Sequence, residues 1–194
     1  MGFVFAAVFL WLARPTWRTL LASLLLVVPG VWLRGYASGY VKKNAELATT
    51  GPYAHTRNPL YLGSMLIAFG FAAAAASWII LVALAALFAA IYLPTILSEE
   101  AYLREHFAGF DAYARAVPRL LPRLTPAPGP SGAERGSFSA DLYRKHREYN
   151  ALMGAGAIYL ALALITFWAS PVSCRTQQAV LVAIGRPKLN SPGI

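Results

Sequence analysis

Two clusters of polar side chains flank a long uncharged stretch of the sequence, and their residue types are suited to chemistry. The members of the first cluster are Tyr53, His55, Arg57, Asn58 and Tyr61. The second cluster consists of the adjacent carboxylates Glu99 and Glu100. Each cluster alone fits an ordinary turn or helix border, because Asn58-Pro59 is a normal helix start and the glutamates can be solvated charges. Together they offer hydrogen-bond donors, acceptors and both signs of charge, which a catalytic or binding site requires.

The uncharged stretch between the clusters covers residues 59–97. As one helix it would measure about 58 Å at ~1.5 Å per residue, nearly twice the hydrocarbon thickness of a bilayer. The stretch is therefore predicted to fold back near Ser77 and Trp78 into two spans of about 18–20 residues. Because a hairpin returns its ends to the same side of a membrane, we expect the two clusters to form one site.

The composition indicates an all-α, polytopic membrane helix bundle. Hydrophobic residues make up 58% of the chain and charged residues 13%, against roughly 45–50% and 25% in soluble domains. The net charge of +9 is attributed to membrane orientation rather than to nucleic acid, because the basic residues lie in loops beside apolar spans. The lone Cys174 excludes an intramolecular disulfide and a cysteine metal cluster, and no metal site is expected.

About five spans are predicted, or four if the first segment only lies in the membrane interface. Their ranges are residues 2–13, 19–41, 59–76, 78–97 and 151–169. Arg34, near the end of the second span, is interpreted as snorkelling toward the basic edge at Lys42 and Lys43. Pro94 is expected to bend the fourth span just before the glutamates. The glycine pairs Gly35/Gly39 and Gly154/Gly156 are predicted to serve helix packing.

The chain is divided at a segment rich in proline, glycine and serine. Residues 1–124 form the predicted transmembrane core, and residues 125–140 form the linker. Residues 141–170 are predicted to be a helix that leads into the last span, and residues 171–194 form a tail.

The distribution of Lys and Arg predicts which side of the membrane holds the site. Eleven of them fall on the predicted cytoplasmic side: Lys42, Lys43, Arg57, Arg104, Arg115, Arg119, Arg123, Arg135, Arg144, Lys145 and Arg147. Five fall on the opposite side: Arg14, Arg18, Arg175, Arg186 and Lys188. Because basic loops resist translocation, we expect a multi-pass protein whose site faces the cytoplasm.

The motifs in residues 51–122 resemble those of integral-membrane methyltransferases, the isoprenylcysteine carboxyl methyltransferase and phospholipid methyltransferase superfamily. Arg57-Asn-Pro-Leu-Tyr-Leu-Gly63 is similar to the signature Arg-His-Pro-x-Tyr-x-Gly, and Glu99-Glu-Ala-Tyr-Leu103 matches Glu-Glu-x-x-Leu. The preceding Gly-Pro-Tyr also fits. Asn58 stands where the eukaryotic signature has His, a departure that bears on the substrate more than on the methyl donor.

The resemblance implies S-adenosylmethionine as the methyl donor, bound in a pocket at the cytoplasmic edge of the membrane. It assigns donor binding to Tyr53, His55, Arg57, Asn58, Pro59, Tyr61, Gly63, Glu99 and Glu100. Arg57 and His55 suit the donor carboxylate, either glutamate suits its ammonium, and the tyrosines suit its sulfonium or adenosine. Arg57, Glu99 and Glu100 are the expected catalytic residues.

The resemblance implies a lipophilic or membrane-embedded acceptor, which leaves the acceptor's chemistry open. An isoprenylcysteine-type carboxylate needs orientation and a dry site, whereas a lipid amine must first lose a proton to a base such as Glu100 or His55. A quinone-like or other lipophilic small molecule is a further candidate. We expect membrane lipid and bilayer as partners and no nucleic acid; the sequence does not fix the oligomeric state.

Two other function classes are weighed against methyl transfer. A sterol-type reductase would bind a nicotinamide dinucleotide, with Arg115, Arg119 and Arg123 available to its phosphates. A non-enzymatic scaffold or a small transporter is the third hypothesis. It lacks support, because no charged residue is found in the middle of a predicted span, where a translocation path would be expected. Methyl transfer ranks first because the two polar clusters are so compact.

Overall fold

The computed structural model describes residues 2–40, 46–128 and 136–168. Within these ranges the chain forms helices and connecting segments and no strand, which confirms the predicted all-α membrane bundle. A short 3₁₀ helix, Gly51–Ala54, precedes the third α-helix. The α-helices are α1 (Gly2–Leu12), α2 (Trp17–Ser38), α3 (Pro59–Ala75), α4 (Trp78–Leu87), α5 (Leu93–His106), α6 (Phe110–Ala116), α7 (Ala140–Lys145) and α8 (Tyr149–Trp168).

Three helices among the described residues are long and apolar enough to cross a membrane. They are Trp17–Ser38, the continuous helix Trp78–His106, and Tyr149–Trp168. Helix α3 has 17 residues, at the lower limit of the ~17–25 residues that a span needs. Helix α1 has 11 residues and is shorter than a full span. By helix length the structure thus supports three spans of the five predicted.

The predicted hairpin is confirmed. Helix α3 ends at Ala75, Ala76 adopts the left-handed conformation with φ 51°, and α4 begins at Trp78. This turn reverses the chain, so the first residues of α3 and the residues of α5 lie at the same end of the bundle.

Glycines allow α2 and α3 to pack closely in antiparallel directions. A methyl group placed on Gly30 would lie 2.8 Å from the carbonyl oxygen of Gly63, and one on Gly70 would lie 2.5 Å from Val27. Helix α8 packs beside them, where the hydroxyls of Ser23 and Tyr159 form a hydrogen bond. The three helices therefore form the core that supports the site at one end.

Pro94 is accompanied by a change of helix type rather than by a break. Residues Phe88–Tyr92 form a π-helical turn, and α5 continues directly from it. A proline lacks the backbone N–H of a regular helix and its ring crowds the carbonyl four residues earlier. The wider π turn relieves this conflict, and such turns occur frequently at functional sites.

The segment after the linker differs from the single helix that the sequence predicts. It forms two helices, α7 and α8, separated at Arg147, whose φ of 53° is left-handed. Residues 136–148, here called the strap, pack against the end of α2, with Phe138 over Gly39 and Tyr143 over Gly35. These two glycines thus receive aromatic side chains rather than another membrane helix.

The remaining sequence predictions concern the glycine pair of the last helix, the linker and the tail. Methyl groups on Gly154 or Gly156 would meet nothing within 4 Å, so the packing role predicted for that pair is wrong among the described residues. The middle of the linker, residues 129–135, and the tail, residues 171–194, lie outside the described residues, as do Lys42, Lys43 and Cys174.

Candidate active site

The hairpin brings Arg57 and Glu100 into direct contact. Arg57 Nη1 lies 3.3 Å from Oε1 of Glu100, and the Glu100 residue as a whole is only 4% exposed. Arg119 donates to the same carboxylate from Nη2 at 2.9 Å and from Nε at 3.1 Å. Asn58 Nδ2 adds a longer contact of 3.5 Å. Two guanidinium groups thus contact one buried carboxylate and fix its position.

The chain after α6 positions Arg57 and Arg119 through backbone hydrogen bonds. The Arg57 N–H donates to the Pro118 carbonyl at 2.9 Å, and Thr56 Oγ1 donates to the Leu120 carbonyl at 3.1 Å. Thr56 is 1% exposed. The hydrogen bond to Glu100 raises the pKa of Arg119 above its ordinary value, so this guanidinium stays charged.

One donor of Arg57 has no partner in the described part of the chain. Its Nε is buried and makes no hydrogen bond with the described residues. Because a buried unpaired donor costs roughly 1–3 kcal/mol, such an atom at a candidate site indicates that a ligand group accepts from it. A ligand carboxylate suits this position, because guanidinium–carboxylate hydrogen bonds are among the strongest in proteins.

Arg57 and Glu100 face a cavity of about 670 Å³ at this end of the bundle, within the roughly 300–1,000 Å³ typical of ligand pockets. Seven of the nine predicted site residues line it: Tyr53, Arg57, Asn58, Pro59, Tyr61, Glu99 and Glu100. Side chains from membrane helices, including Leu60 and Ile91, line it as well. The cavity therefore joins the polar cluster to an apolar wall.

His55 and Gly63, the other two predicted site residues, do not line the cavity. His55 Nδ1 donates to the Arg123 carbonyl at 2.8 Å, which uses the ring to fasten the chain after α6. A methyl group on Gly63 would meet Arg34 Cγ at 2.7 Å, so this glycine serves the contact between α2 and α3.

Glu99 has a different environment from Glu100, although the two are adjacent. Its side chain is exposed and accepts a hydrogen bond from Tyr61 Oη at 2.9 Å. The Tyr61 ring in turn packs edge-on against Tyr92 of the π turn, with ring centroids 5.3 Å apart. Glu99 is thus a carboxylate of the cavity that has no guanidinium bound to it among the described residues.

Two tyrosines form the inner wall of the cavity. Tyr113 Oη donates to the Tyr53 carbonyl at 2.8 Å. Burial raises the pKa of both phenols well above the ordinary value. Both side chains therefore remain neutral at physiological pH, and Tyr53 presents an uncharged aromatic face to the cavity.

Sequence reasoning missed a second charged pair on the cavity wall. Arg34, interpreted as snorkelling, donates to Glu148 from Nε at 3.0 Å and from Nη2 at 2.9 Å. Both residues line the cavity, as does Ser64, which accepts a hydrogen bond from Arg34 Nη1. An arginine within an apolar span was the available signal, whereas nothing in the sequence pointed to Glu148.

The arginines that a nicotinamide dinucleotide would require do not reach the cavity. Arg119 is bound to Glu100, and Arg123 Nη1 donates to the Ala116 carbonyl at 2.6 Å. Neither of them, nor Arg115, is among the cavity-lining residues. The three arginines are therefore not placed to bind the phosphates of a dinucleotide in this cavity, as the reductase hypothesis requires.

Comparison with known proteins confirms the resemblance read from the motifs. Residues 28–109 match the phospholipid methyltransferase family. This range includes Arg57, Glu99 and Glu100, and it ends before Arg119 and Glu148.

Two curated relatives share this part of the chain. The nickel-cobalt-cadmium resistance protein NccN of Alcaligenes xylosoxydans xylosoxydans is 38% identical over 102 residues, which cover 53% of this chain and 47% of NccN. The cobalt-zinc-cadmium resistance protein CzcN of Cupriavidus metallidurans is 37% identical over 97 residues, or 50% of this chain and 44% of CzcN. The chain thus spans about half the length of the curated relatives it matches. No solved structure matches it.

Proposed function

Because residues 28–109 match the phospholipid methyltransferase family, we propose that this protein transfers a methyl group from S-adenosylmethionine to a lipophilic acceptor at the cytoplasmic edge of the membrane. The observation that carries the proposal is the Arg57–Glu100 pair. It lies within the cavity, and one buried donor of Arg57 has no partner among the residues that the structure describes.

The residues around Arg57 suit the two ends of the methyl donor. Arg57 binds the donor carboxylate through Nε, and Glu100 fixes the orientation of the guanidinium. Glu99, which is exposed within the cavity, offers a carboxylate for the donor ammonium. The rings of Tyr53, Tyr61 and Tyr92 supply the aromatic faces that attract a cationic sulfonium.

S-adenosylmethionine supplies an electrophilic methyl group on its sulfonium, so the protein's task is chiefly positioning. Holding two reactants in line can contribute about 7–11 kcal/mol. The ion pair with Glu100 orients the Arg57 guanidinium, and the hydrogen bond from the Arg57 backbone N–H to the Pro118 carbonyl anchors the backbone of the same residue; both contacts serve this purpose.

The cavity also suits an acceptor that comes from the bilayer. Leu60 and Ile91 belong to helices of the membrane bundle and line the cavity beside the polar cluster. For a carboxylate acceptor no proton needs to move. For an amine acceptor Glu99 is the available base, in place of its contact with the donor ammonium, because Glu100 is occupied by two guanidinium groups and His55 lies outside the cavity.

The two relatives are named for metal resistance, and we carry no metal role over to this chain. Among the described residues, no three His, Cys, Asp or Glu side chains are grouped so that they can hold a metal ion.

Calorimetric titration of the purified full-length protein tests the proposal. S-adenosylhomocysteine should bind, whereas NADPH should not bind under the same conditions. Incubation with labelled S-adenosylmethionine and extracted membrane lipids should then transfer label to a lipid fraction. Failure to bind S-adenosylhomocysteine, or NADPH binding in its place, would overturn the assignment.

A further inference from the structure

A bidentate ion pair lies in the cavity wall apart from the Arg57–Glu100 pair. Glu148 accepts from Arg34 Nε at 3.0 Å and from Nη2 at 2.9 Å, and the side chains are 27% and 11% exposed. Ser64, which also bonds Arg34, lies five residues beyond Pro59, or about 7.5 Å along α3 at ~1.5 Å per residue. This pair is therefore on the membrane side of the cavity.

The strap delivers Glu148 to this position. His146 Nδ1 donates to the Ser38 carbonyl at 3.1 Å, while Phe138 and Tyr143 occupy the space left by Gly39 and Gly35. The left-handed Arg147 then turns the chain, so that Glu148 points back to α2 as α8 begins. A non-glycine residue in this conformation is strained, and such strain is commonly found at functional sites.

Stability alone is a weak explanation for this pair. An arginine within a membrane span is costly, and intramembrane ionisable residues generally mark functional sites. Removing two charges from water offsets most of their mutual attraction, so buried ion pairs contribute little net stability. Both residues also line the cavity, which gives the pair access to a ligand.

Arg34 keeps hydrogen-bonding capacity that the protein does not use. A guanidinium has five N–H donors, and three from Arg34 bind Glu148 and Ser64. The other two, one on each terminal nitrogen, have no partner within the described ranges. Leu60 and Ile91, which are apolar, line the same cavity as Arg34.

We propose that Arg34 binds an acidic oxygen, of a phosphate or a carboxylate, on the lipophilic acceptor, and that Glu148 is the positioning residue that orients the guanidinium. The proposal rests on the proposed methyl transfer and assigns the acceptor end of the same cavity. Arg57 then serves the methyl donor, and Arg34 serves the acceptor. Ser64, the α3 residue bonded to Arg34, lies about one and a half helical turns beyond the start of α3. The acceptor class follows as an amphiphile with an acidic headgroup oxygen.

Binding of simple amphiphiles to the full-length protein in a neutral maltoside detergent tests this assignment. Dodecyl phosphate and laurate are titrated separately, which distinguishes a phosphate from a carboxylate. We expect at least one to bind the wild type, and Arg34→Gln to weaken that binding at least tenfold. S-adenosylhomocysteine affinity should stay within about twofold, since the charged hydrogen bond lost in Arg34→Gln is not one proposed for the methyl donor.

Three further variants separate binding from helix docking. Glu148→Gln keeps the Arg34 charge, so it should retain amphiphile binding within tenfold, whereas a purely structural pair would make both single variants behave alike. Arg34→Gln combined with Glu148→Gln leaves no unpaired charge; it should still lose amphiphile binding if the protein remains folded. The exposed Arg115→Gln is the control and should bind as the wild type does.

The outcomes also separate this inference from the proposed function. Equal amphiphile affinity in wild type and in the double variant, or no binding of either amphiphile to wild type, would refute the role of Arg34. If the wild-type protein does not bind S-adenosylhomocysteine, the proposed methyl transfer is refuted instead.

Discussion

Arg57 Nη1 lies 3.3 Å from Glu100 Oε1, and this ion pair joins the two ends of the hairpin that α3 and the helix through α5 form. Both side chains are largely buried, with 12% and 6% exposed. The contact fixes the distance between the segment just before α3 and the Glu100 carboxylate of α5. It therefore links the fold of the hairpin directly to the geometry of the cavity.

Arg57→Gln is expected to weaken S-adenosylhomocysteine binding about ten- to a hundredfold, because a charged hydrogen bond contributes roughly 1.5–3 kcal/mol. Glu100 retains Arg119 in this variant, so the protein should stay folded. Calorimetry measures the affinity, and Arg115→Gln is the matched control. Wild-type affinity in Arg57→Gln would remove Arg57 from the donor site.

Glu100→Gln should destabilise the protein much more than Glu99→Gln, whereas both should reduce activity. Glu100 is buried between two guanidinium groups, so its neutralisation is expected to cost about 3–5 kcal/mol of unfolding free energy. Glu99 is exposed, and the corresponding cost is about 0–1 kcal/mol. Thermal unfolding in detergent distinguishes the two variants, and methyl-transfer kinetics measures the activity of each. Full activity in Glu99→Gln would reject its proposed role.

Tyr113→Phe removes the hydroxyl that donates to the Tyr53 carbonyl at 2.8 Å. Tyr113 and Tyr53 are both buried, so the unpaired carbonyl should cost about 1–3 kcal/mol of stability. Because Tyr53 lines the cavity, we also expect weaker donor binding. A melting temperature equal to that of the wild type would show that this hydrogen bond does not support the cavity wall.

Gly30→Ala should destabilise the contact between α2 and α3, because the new methyl group would lie 2.8 Å from the Gly63 carbonyl oxygen. Overpacking of this kind typically costs about 1–3 kcal/mol. Gly154→Ala is the control, since nothing lies within 4 Å of its added methyl group. Thermal unfolding of the two variants should differ clearly; equal melting temperatures would contradict the packing.

Cysteine labelling tests the predicted orientation. On a Cys174→Ser background, a cysteine at the exposed Ala112 should react with a membrane-impermeant thiol reagent only after the cells are opened. Ser77→Cys, at the other end of the hairpin, should react in intact cells, because the two positions lie at opposite ends of the bundle. The reverse pattern would place the site outside the cytoplasm.

Hydropathy and helix length were enough to predict the hairpin and the meeting of its two polar ends. An uncharged stretch that is too long for one span must turn, and the turn at Ala76 follows from that constraint. The helical bundle follows in the same way, because in a bilayer a helix satisfies its own backbone groups. Helix length supports three of the five predicted spans, because α1 has 11 residues and α3 has 17, at the lower limit of a span.

Only the tertiary structure decided which side chains share the cavity. The segment after α6 selects Glu100 over Glu99 as the buried carboxylate by placing Arg119 against it, and it turns His55 toward the Arg123 carbonyl. The strap likewise brings Glu148 to Arg34 across a long separation in sequence. Hydropathy and local spacing determine which residues enter the membrane. The partners of buried charges depend instead on how loops pack across helix ends, and neither hydropathy nor local spacing specifies that packing.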